Sequence, residues 1–388
     1  MRLRLELKSV LIVSIILGAC TAPKEDSAIH ENKHQTKIEG DYKLPLDSET
    51  SLYNRLNSPG TIEDRDLYFL FNQNSNTLQV YDLDSKSISE KIKFPWEGPN
   101  SLQGMMYPYG FQYVNSDSLI FYSGMFKTIY LANLEGKVYK EISLANHPIG
   151  FGSVLPESPI AYKDGHVYMQ SLPRYPTKIS QDYVHPPNKI SKINLSNGDY
   201  EEFELDFPEI YKNKVISQQL KMIDIVYSPK ADKFVVSFPL SAELYVTDFK
   251  SESQTFLAKS DLVKDPIETD KNNLIVEASS INNFYYWINN SYEKIIYDAE
   301  NDIYIREARA GLTEQEYLNR KFKSKRELII LNSEFQEIDR IPYESAEMYY
   351  SFFKKGSFYW NKNIQEFNLE EGVEDTLFFN SVKLKVGY

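Results

Sequence analysis

A short unit recurs six times along this chain, and that recurrence constrains the fold more than any other feature. Each copy opens with an aromatic or β-branched strand: Leu67–Phe71, Leu119–Tyr122, Val167–Met169, Phe234–Val236, Ile303–Ile305 and Phe358–Trp360. A second strand then ends in Asp or Asn, mostly followed by Leu or Phe: Asp82-Leu83, Asn133-Leu134, Asn194-Leu195, Asp248-Phe249, Asn332-Ser333 and Asn368-Leu369. A polar turn and a third strand follow, as in Ser89–Phe94, Lys137–Leu144, Tyr200–Phe207 and Thr376–Leu384. The Asp or Asn has a physical role. Its side chain accepts a hydrogen bond from the backbone about two residues on, which ends a strand and starts a tight reversal.

With 29 Tyr, 22 Phe and few helix-forming stretches, the chain reads as all-β. One sheet of three or four strands buries little apolar area, so such units must pack face to face around an axis. The openings lie 52, 48, 67, 69 and 55 residues apart, about 58 on average. Six such units fill the stretch from residue 40 to 388, where five or seven would not. A β-helix needs shorter coils, and a pair of β-sandwiches predicts no sixfold likeness. The expectation is a six-bladed β-propeller.

No Trp-Asp dipeptide, Gly-Gly pair or Asp-box is present, which disfavours the WD40, kelch and sialidase kinds. Glu97-Gly98-Pro99-Asn100 and Leu134-Glu135-Gly136-Lys137 resemble the loops of TolB-like and NHL-like six-bladed propellers. Tyr292–Asp298, followed by Ile303–Arg306, adds to the likeness. Three stretches interrupt the repeat. Residues 311–326 read as a short helix, with a capping box at Thr313 and Glu316 and a stripe of Tyr317, Leu318 and Phe322. Residues 265–290 hold the run Phe284-Tyr285-Tyr286-Trp287, and residues 173–187, with four prolines, read as a long loop. Either Lys43–Leu46 adds an outer strand to the last unit, or Thr376–Leu384 closes the ring by itself.

At the start, Arg2, Arg4 and Lys8 precede an apolar run from Val10 to Leu17 and then Gly18-Ala19-Cys20, the single cysteine of the chain. This eight-residue run, apolar but for Ser14, is too short to span a bilayer core, which takes about 20 in a helix. The pattern resembles a bacterial lipoprotein signal, which implies that Cys20 is lipidated and begins the mature protein. Lys24-Glu25-Asp26 resembles the lysine-plus-acidics address that sends some Gram-negative lipoproteins to the outer face of the outer membrane. The expected organisation is a signal peptide over 1–19, a polar tether over 20–40 and one propeller over 41–388. Taken whole, the chain is similar to uncharacterised TolB-like six-bladed propeller lipoproteins of Gram-negative bacteria. That likeness carries no catalytic residue across.

Charge narrows the partners. The formal charge of −12 becomes −14 once residues 1–19 are removed, because Arg2, Arg4, Lys8 and Glu6 go with them. Such a surface repels phosphate backbones, so nucleic acid is not an expected partner. His30-Glu31-Asn32-Lys33-His34 spells a zinc-protease motif, but it sits in the polar tether, where there is little apolar content for a helix to bury. Asp82–Lys86 begins like a calcium loop, yet Ser87 and Lys93 stand where its glycine and glutamate belong. There is no G-x-S-x-G elbow, and His147, His166 and His185 are isolated in sequence. No cofactor is expected, and an enzyme is the less favoured reading.

What remains is recognition. Propellers present loops from every blade on two faces, where aromatic rings give large, rigid contact area. Trp96, Tyr107, Tyr109, Tyr285, Tyr286, Trp287 and Arg306 are the candidate ligand-binding residues, with blade packing as their alternative role. The expected function is a surface-anchored binding or scaffold module for a protein, peptide or glycan. Its rival is a propeller hydrolase or lyase with its site at the central channel. Replacing Cys20 with Ala is expected to release the protein from membranes on cell fractionation, and continued retention would defeat the anchor.

Overall fold

Strands with apolar residues at every position must bury both faces, and the six openings do so. In the computed structural model, residues 37–54, 56–98, 100–102, 108–124, 126–147, 160–171, 188–212, 214–268 and 278–384 are described. The first strand, β1 (Glu39–Pro45), stands apart from its successors in sequence order. Blade 1 follows as β2 (Asn57–Ile62), β3 (Arg65–Asn72), β4 (Thr77–Asp82) and β5 (Ser87–Lys93). Blade 2 is β6 (Pro108–Asn115), β7 (Ser118–Ser123), β8 (Thr128–Ala132) and β9 (Val138–Ser143). Blade 3 is β10 (Ala161–Lys163), β11 (His166–Ser171), β12 (Lys189–Asn194) and β13 (Tyr200–Glu204). Blade 4 is β14 (Asp224–Ser228), β15 (Lys233–Ser237), β16 (Glu243–Thr247) and β17 (Gln254–Leu257). Helix α1 (Ala278–Ile288) leads into blade 5, which is β18 (Ser291–Asp298), β19 (Ile303–Arg309), β20 (Ser324–Leu331) and β21 (Glu337–Ser345). Blade 6 takes β22 (Ser351–Lys354), β23 (Ser357–Asn361), β24 (Thr376–Lys383) and, on its outside, β1.

All pairings are antiparallel, and the fold is the expected six-bladed propeller. The recurring opening strands turn out to be the second strand of each blade. A first strand, less regular in composition, precedes every one of them. These first strands lie side by side between blades: β2 touches β6 and β22, and β14 touches β10 and β18. They therefore line the axis.

The cores are shared between neighbours. On β3, Phe69 and Phe71 enter a cluster with Phe111, Leu119 and Phe121 of blade 2, whereas Tyr68 and Leu70 pack with Phe352 and Phe379 of blade 6. Ile120 and Tyr122 of β7 face blade 3, opposite to Leu119 and Phe121. The same alternation divides Phe234 and Val236 from Val235, and Tyr304 from Ile303 and Ile305. This is the two-residue period of a strand. Each side chain fully removed from water contributes about 1.5–3 kcal/mol, but only once the neighbouring blade is present.

The turns behave as their residues dictate. Asp82 Oδ1 accepts from the amides of Asp84 and Ser85, at 3.0 and 2.8 Å. Asn194 accepts from Ser196 at 2.7 Å, Asp248 from Lys250 at 2.9 Å, and Asn332 from Glu334 at 3.0 Å. The following leucine has its own task. The amides of Leu83, Leu134 and Leu195 donate to Asp66, Ser116 and Gly165, at or beside the turn between the first two strands of their blades. In blade 6 the expectation fails. Gln365–Leu369 forms a π-helical turn instead of a strand end, and Asn368 Nδ2 donates to the Val373 and Thr376 carbonyls, at 2.7 and 2.5 Å.

The missing outer strand of blade 6 comes from the other end of the chain. β1 pairs with β24 from Pro45↔Thr376 to Glu39↔Ser381. Tyr42 on β1 packs its ring on Phe352, Tyr359 and Phe379, and its hydroxyl donates to the Leu83 carbonyl of blade 1 at 2.6 Å. Lys355 meets Asp84 at 2.7 Å across the same seam. Of the two closures open from the sequence, the one using Lys43–Leu46 holds.

The helix expected over 311–326 is shorter than its pattern. Thr313 and Glu316 make the capping box, but only α2 (Glu314–Leu318) is helical, because β20 claims the chain from Ser324. Leu318 is 63% exposed, while Tyr317 and Phe322 pack on α1 through Phe284 and Trp287, at 5.2 and 4.9 Å. Leu44 is fully buried where β1 meets blade 1. Leu44→Ala is therefore expected to lower unfolding stability by about 2–5 kcal/mol in urea titration. An unchanged midpoint would mean that β1 does not close the ring.

Candidate functional site

An antiparallel four-stranded blade has its second-to-third turn and its connection to the next blade at the same end. Those connections build a cavity of about 390 Å³. Tyr53 reaches it from the segment before β2, Gln219 and Met222 from the segment before β14, and Pro239 from the β15–β16 turn. Asn283, Tyr286 and Trp287 of α1 line it, with Glu293 at the start of β18 and Phe322 from the β19–β20 connection. Glu347 and Tyr349 before β22, and Asn363 after β23, complete it. Blades 1 and 4 stand opposite in a ring of six, so the cavity spans the mouth of the axis. A smaller hollow of about 30 Å³ adjoins it, sharing Tyr286, Glu293, Glu347 and Tyr349 and reaching Lys294, Glu307 and Arg326.

Helix α1 is held there by specific groups. Asn289 Nδ2 caps its end by donating to the Tyr285 carbonyl at 2.7 Å. Gly311 lies so close that a Cβ would sit 2.0 Å from the Ile288 carbonyl oxygen, so only glycine fits. Arg309 of β19 donates to the carbonyls of Trp287 and Tyr286 at 3.0 and 2.8 Å, and its guanidinium lies 4.7 Å from the Tyr286 ring centre. A buried cation thus fastens the helix to blade 5.

A bulge aims Glu293. The β18–β19 register shifts between Tyr292 and Ile295, so Glu293 and Lys294 fall out of the ladder. The Glu293 side chain, 11% exposed, pairs with Arg309 Nε at 2.7 Å and accepts from Tyr286 Oη at 2.5 Å and from Ser291 Oγ. Burial works against its charge, but Arg309, Arg326 and the two hydroxyls overcome that and hold its carboxyl down at about 2. Behind it, Arg326 binds Glu307 at 2.6 Å and Tyr343 donates to the same carboxylate. The bulge also frees the Ile295 amide, which donates to Asp224 Oδ2 of β14 at 2.7 Å. Burial pushes the Asp224 carboxyl up to about 7, and the amides of Ile295 and Ile225 with the Lys294 charge pull it back only in part.

Of the residues singled out from sequence, Tyr286 and Trp287 line the cavity, and Tyr285 packs edge-on against Phe284 at 5.3 Å on the same helix. Trp96 is 47% exposed beyond β5 and does not line the cavity. Tyr109 lies on β6, and Tyr107 falls outside the described residues, as do Cys20, Lys24, Glu25 and Asp26. Arg306 needs correction as a surface ligand residue. It is wholly buried, donates to Ser237 Oγ and to the carbonyls of Phe238, Ser241, Ala242 and Ala258, and stacks 3.6 Å over Tyr292. It ties blade 5 to blade 4. His147 rests on Tyr200 at 4.2 Å, and His166 is bonded to the Asp164 carbonyl at 2.8 Å. Among the described residues, no group of three or more His, Cys, Asp or Glu is placed to hold a metal ion.

Sequence reasoning missed Tyr53, Gln219, Glu293, Glu347 and Tyr349. One signal was readable: Arg306, Glu307 and Arg309 sit in a strand that opens Ile-Tyr-Ile, and charges there need buried partners.

Comparison with known proteins matches residues 36–340 to the family described as "Domain of unknown function (DUF4221)". The crystal structure of a DUF4221 member from Bacteroides vulgatus aligns over 91% of this chain and 100% of that one, at 19% identity and a TM-score of 0.72. A Bacteroides fragilis protein described as exported aligns over 90% of this chain and 96% of its own, at 11% identity and a TM-score of 0.55. A virginiamycin B lyase from Staphylococcus aureus covers 90% and 100% at 13% identity, with a TM-score of only 0.44. No curated protein matches the sequence significantly. At these identities the likeness shows the fold alone.

The Asp224 carboxyl gives the seam beside the site a pH signature. Between its ordinary 3.8 and about 7, the folded chain holds a proton that the unfolded chain has lost. Stability from this group is present below pH 4 and is lost as pH rises through 7, by roughly 1.4 kcal/mol per unit. Asp224→Asn should gain on the native chain by that slope from pH 4 to 7 in chemical denaturation. A constant difference would remove the assignment.

Proposed function

The chain belongs to the family DUF4221, a domain of unknown function, and from that premise we propose that it is a recognition module whose ligand sits in the axial cavity. One observation carries the reading: a cavity of about 390 Å³, walled by aromatic rings and side-chain amides, where connections from blades 1, 4, 5 and 6 converge. Pockets for small ligands run to about 300–1,000 Å³ and combine apolar walls with a few placed polar groups. A large protein partner would need a far wider surface than this, of about 800 Å² per side. The site therefore suits a small ligand or the end of a longer one.

Of the two wall acids, Glu293 speaks for binding over hydrolysis. A general acid or base works best with a pKa near the operating pH. Glu293, held at about 2 and committed to Arg309, is far from that condition. It orders the Tyr286 hydroxyl and keeps α1 in place. Export and anchoring through Cys20, with Lys24, Glu25 and Asp26 as surface address, belong to the same reading. The leader-like start supports it, as does a fold neighbour described as exported. No helix among the described residues is long and apolar enough to cross a membrane.

The three tryptophans make a direct test. Trp287 lines the cavity, Trp96 is exposed away from it, and Trp360 is buried between blades 5 and 6. Titration of the purified protein with a library of oligosaccharides and short peptides should yield a ligand that changes the tryptophan emission. Trp96→Phe should keep that change and Trp287→Phe remove it, and mass spectrometry should recover the ligand unaltered. Turnover of the ligand, or a signal indifferent to Trp287, would set the reading aside.

A further inference from the structure

We infer that the axial cavity takes a neutral glycan, a short stretch of uncharged sugar rings; this rests on the recognition reading above and names its ligand class. Charge comes first. No Lys or Arg lines the larger cavity among the described residues, and its ionisable lining includes Glu293 and Glu347. Phosphate, sulfate and uronate groups would enter an acidic pocket with no cation facing them. A cationic ligand gains less than the two acids suggest. Glu293 is already neutralised by Arg309, whose guanidinium also lies over Tyr286 and Trp287 at 4.7 and 5.2 Å, so those rings already serve a cation from behind.

The walls suit sugar rings. Trp287 is tilted against Phe322 at 4.9 Å on the α1 side, while Tyr53 stands edge-on to Tyr349 at 6.0 Å on the blade 6 and blade 1 side. Rigid aromatic surfaces accept the C–H faces of a pyranose, and side-chain amides meet its hydroxyls in both directions, as donors and acceptors. Gln219 supplies the decisive detail. Its Nε2 donates to Asn283 Oδ1 at 2.9 Å, but its Oε1 is buried and accepts from no donor among the described residues. Buried acceptors are nearly always satisfied, so this one asks for a donor beyond the described residues. A ligand hydroxyl supplies it once the half-buried Gln219 side chain turns toward the cavity it lines. The adjoining hollow of about 30 Å³ has room for a single water or hydroxyl beside Arg326 and Glu307, not for a second ring.

The test is calorimetric titration of the purified full chain with four probe sets. These are neutral oligosaccharides of two to four hexose residues, the same oligomers carrying uronate or sulfate, amino-sugar oligomers, and tetrapeptides. Neutral oligomers should bind, and the acidic and amino counterparts should bind at least about tenfold more weakly. Gln219→Met should weaken the neutral ligand about tenfold, the worth of one hydrogen bond, whereas Gln219→Glu, which keeps the acceptor but loses the donation to Asn283, should bind it more tightly than Gln219→Met. Thermal melting of both variants separates a lost contact from a damaged fold. Preferred binding of peptides or amino-sugars, abolished by Trp287→Ala, would overturn the glycan and leave the cavity as the site. Binding that survives both Trp287→Ala and Gln219→Met would overturn both. No heat from any neutral oligomer at 10 mM, the upper limit of a roughly millimolar interaction, would also overturn the glycan.

Discussion

Every blade of this protein gives its two faces to two different cores, and the rest of the structure depends on that sharing. Tyr68 and Phe69 are adjacent in sequence, yet one packs toward blade 6 and the other toward blade 2. An isolated blade would expose both rings, so no blade can be stable before its neighbours arrive. The ring must therefore close, and its last sheet needs an outer strand. β1 supplies it from the far end of the chain, and Tyr42 fixes the seam by bonding across it to Leu83. A pairing between residues 39–45 and 376–381 joins segments more than 300 residues apart. Closure of that kind costs loop entropy that is returned only when the cores on both sides form.

The same economy explains where function can reside. Strand positions are taken by packing, so chemistry falls to the connections and to places where the ladder is broken. Blade 5 is the clearest case. A bulge in β18 turns Glu293 toward the axis, and the insertion of α1 before it brings Tyr286 and Trp287 alongside. Buried charges then lock the arrangement: Arg309 with Glu293, Arg326 with Glu307, and Arg306 with the carbonyls of blade 4. Removing one partner of such a pair would leave an uncompensated buried charge, a cost of about 3–5 kcal/mol. These pairs fix the position of the cavity wall on blade 5. A preformed wall lowers the ordering cost of binding.

Much of the architecture was legible because it rests on local rules. The aromatic openings had to be strands buried on both sides, and all six are. The Asp and Asn residues had to end strands, and Asp82, Asn194, Asp248 and Asn332 do so through their own side chains. The capping box at Thr313 and Glu316 formed as its residues require. The errors have physical causes. The first strand of each blade escaped notice because it lines the axis and follows no common composition. Asn368 looked like a strand end but serves a π-helical turn. The helix after Gly311 was overextended because its pattern ran into the alternation of β20.

The cavity was far less legible, for a reason of geometry. Tyr53, Gln219, Glu293 and Tyr349 meet only after a ring of six has closed, and no spacing rule relates residue 53 to residue 349. Arg306 shows the converse: an arginine beside an aromatic run looks like a surface contact until the neighbouring blade covers it. By itself the sequence determined the repeating unit, its count and most of its turns, since these depend on side-chain alternation and on hydrogen bonds a few residues long. Only the tertiary structure decided which strand closes the circle, which charges are buried and which rings face the axis. Those depend on contacts between segments hundreds of residues apart, brought together by the packing of one blade on the next.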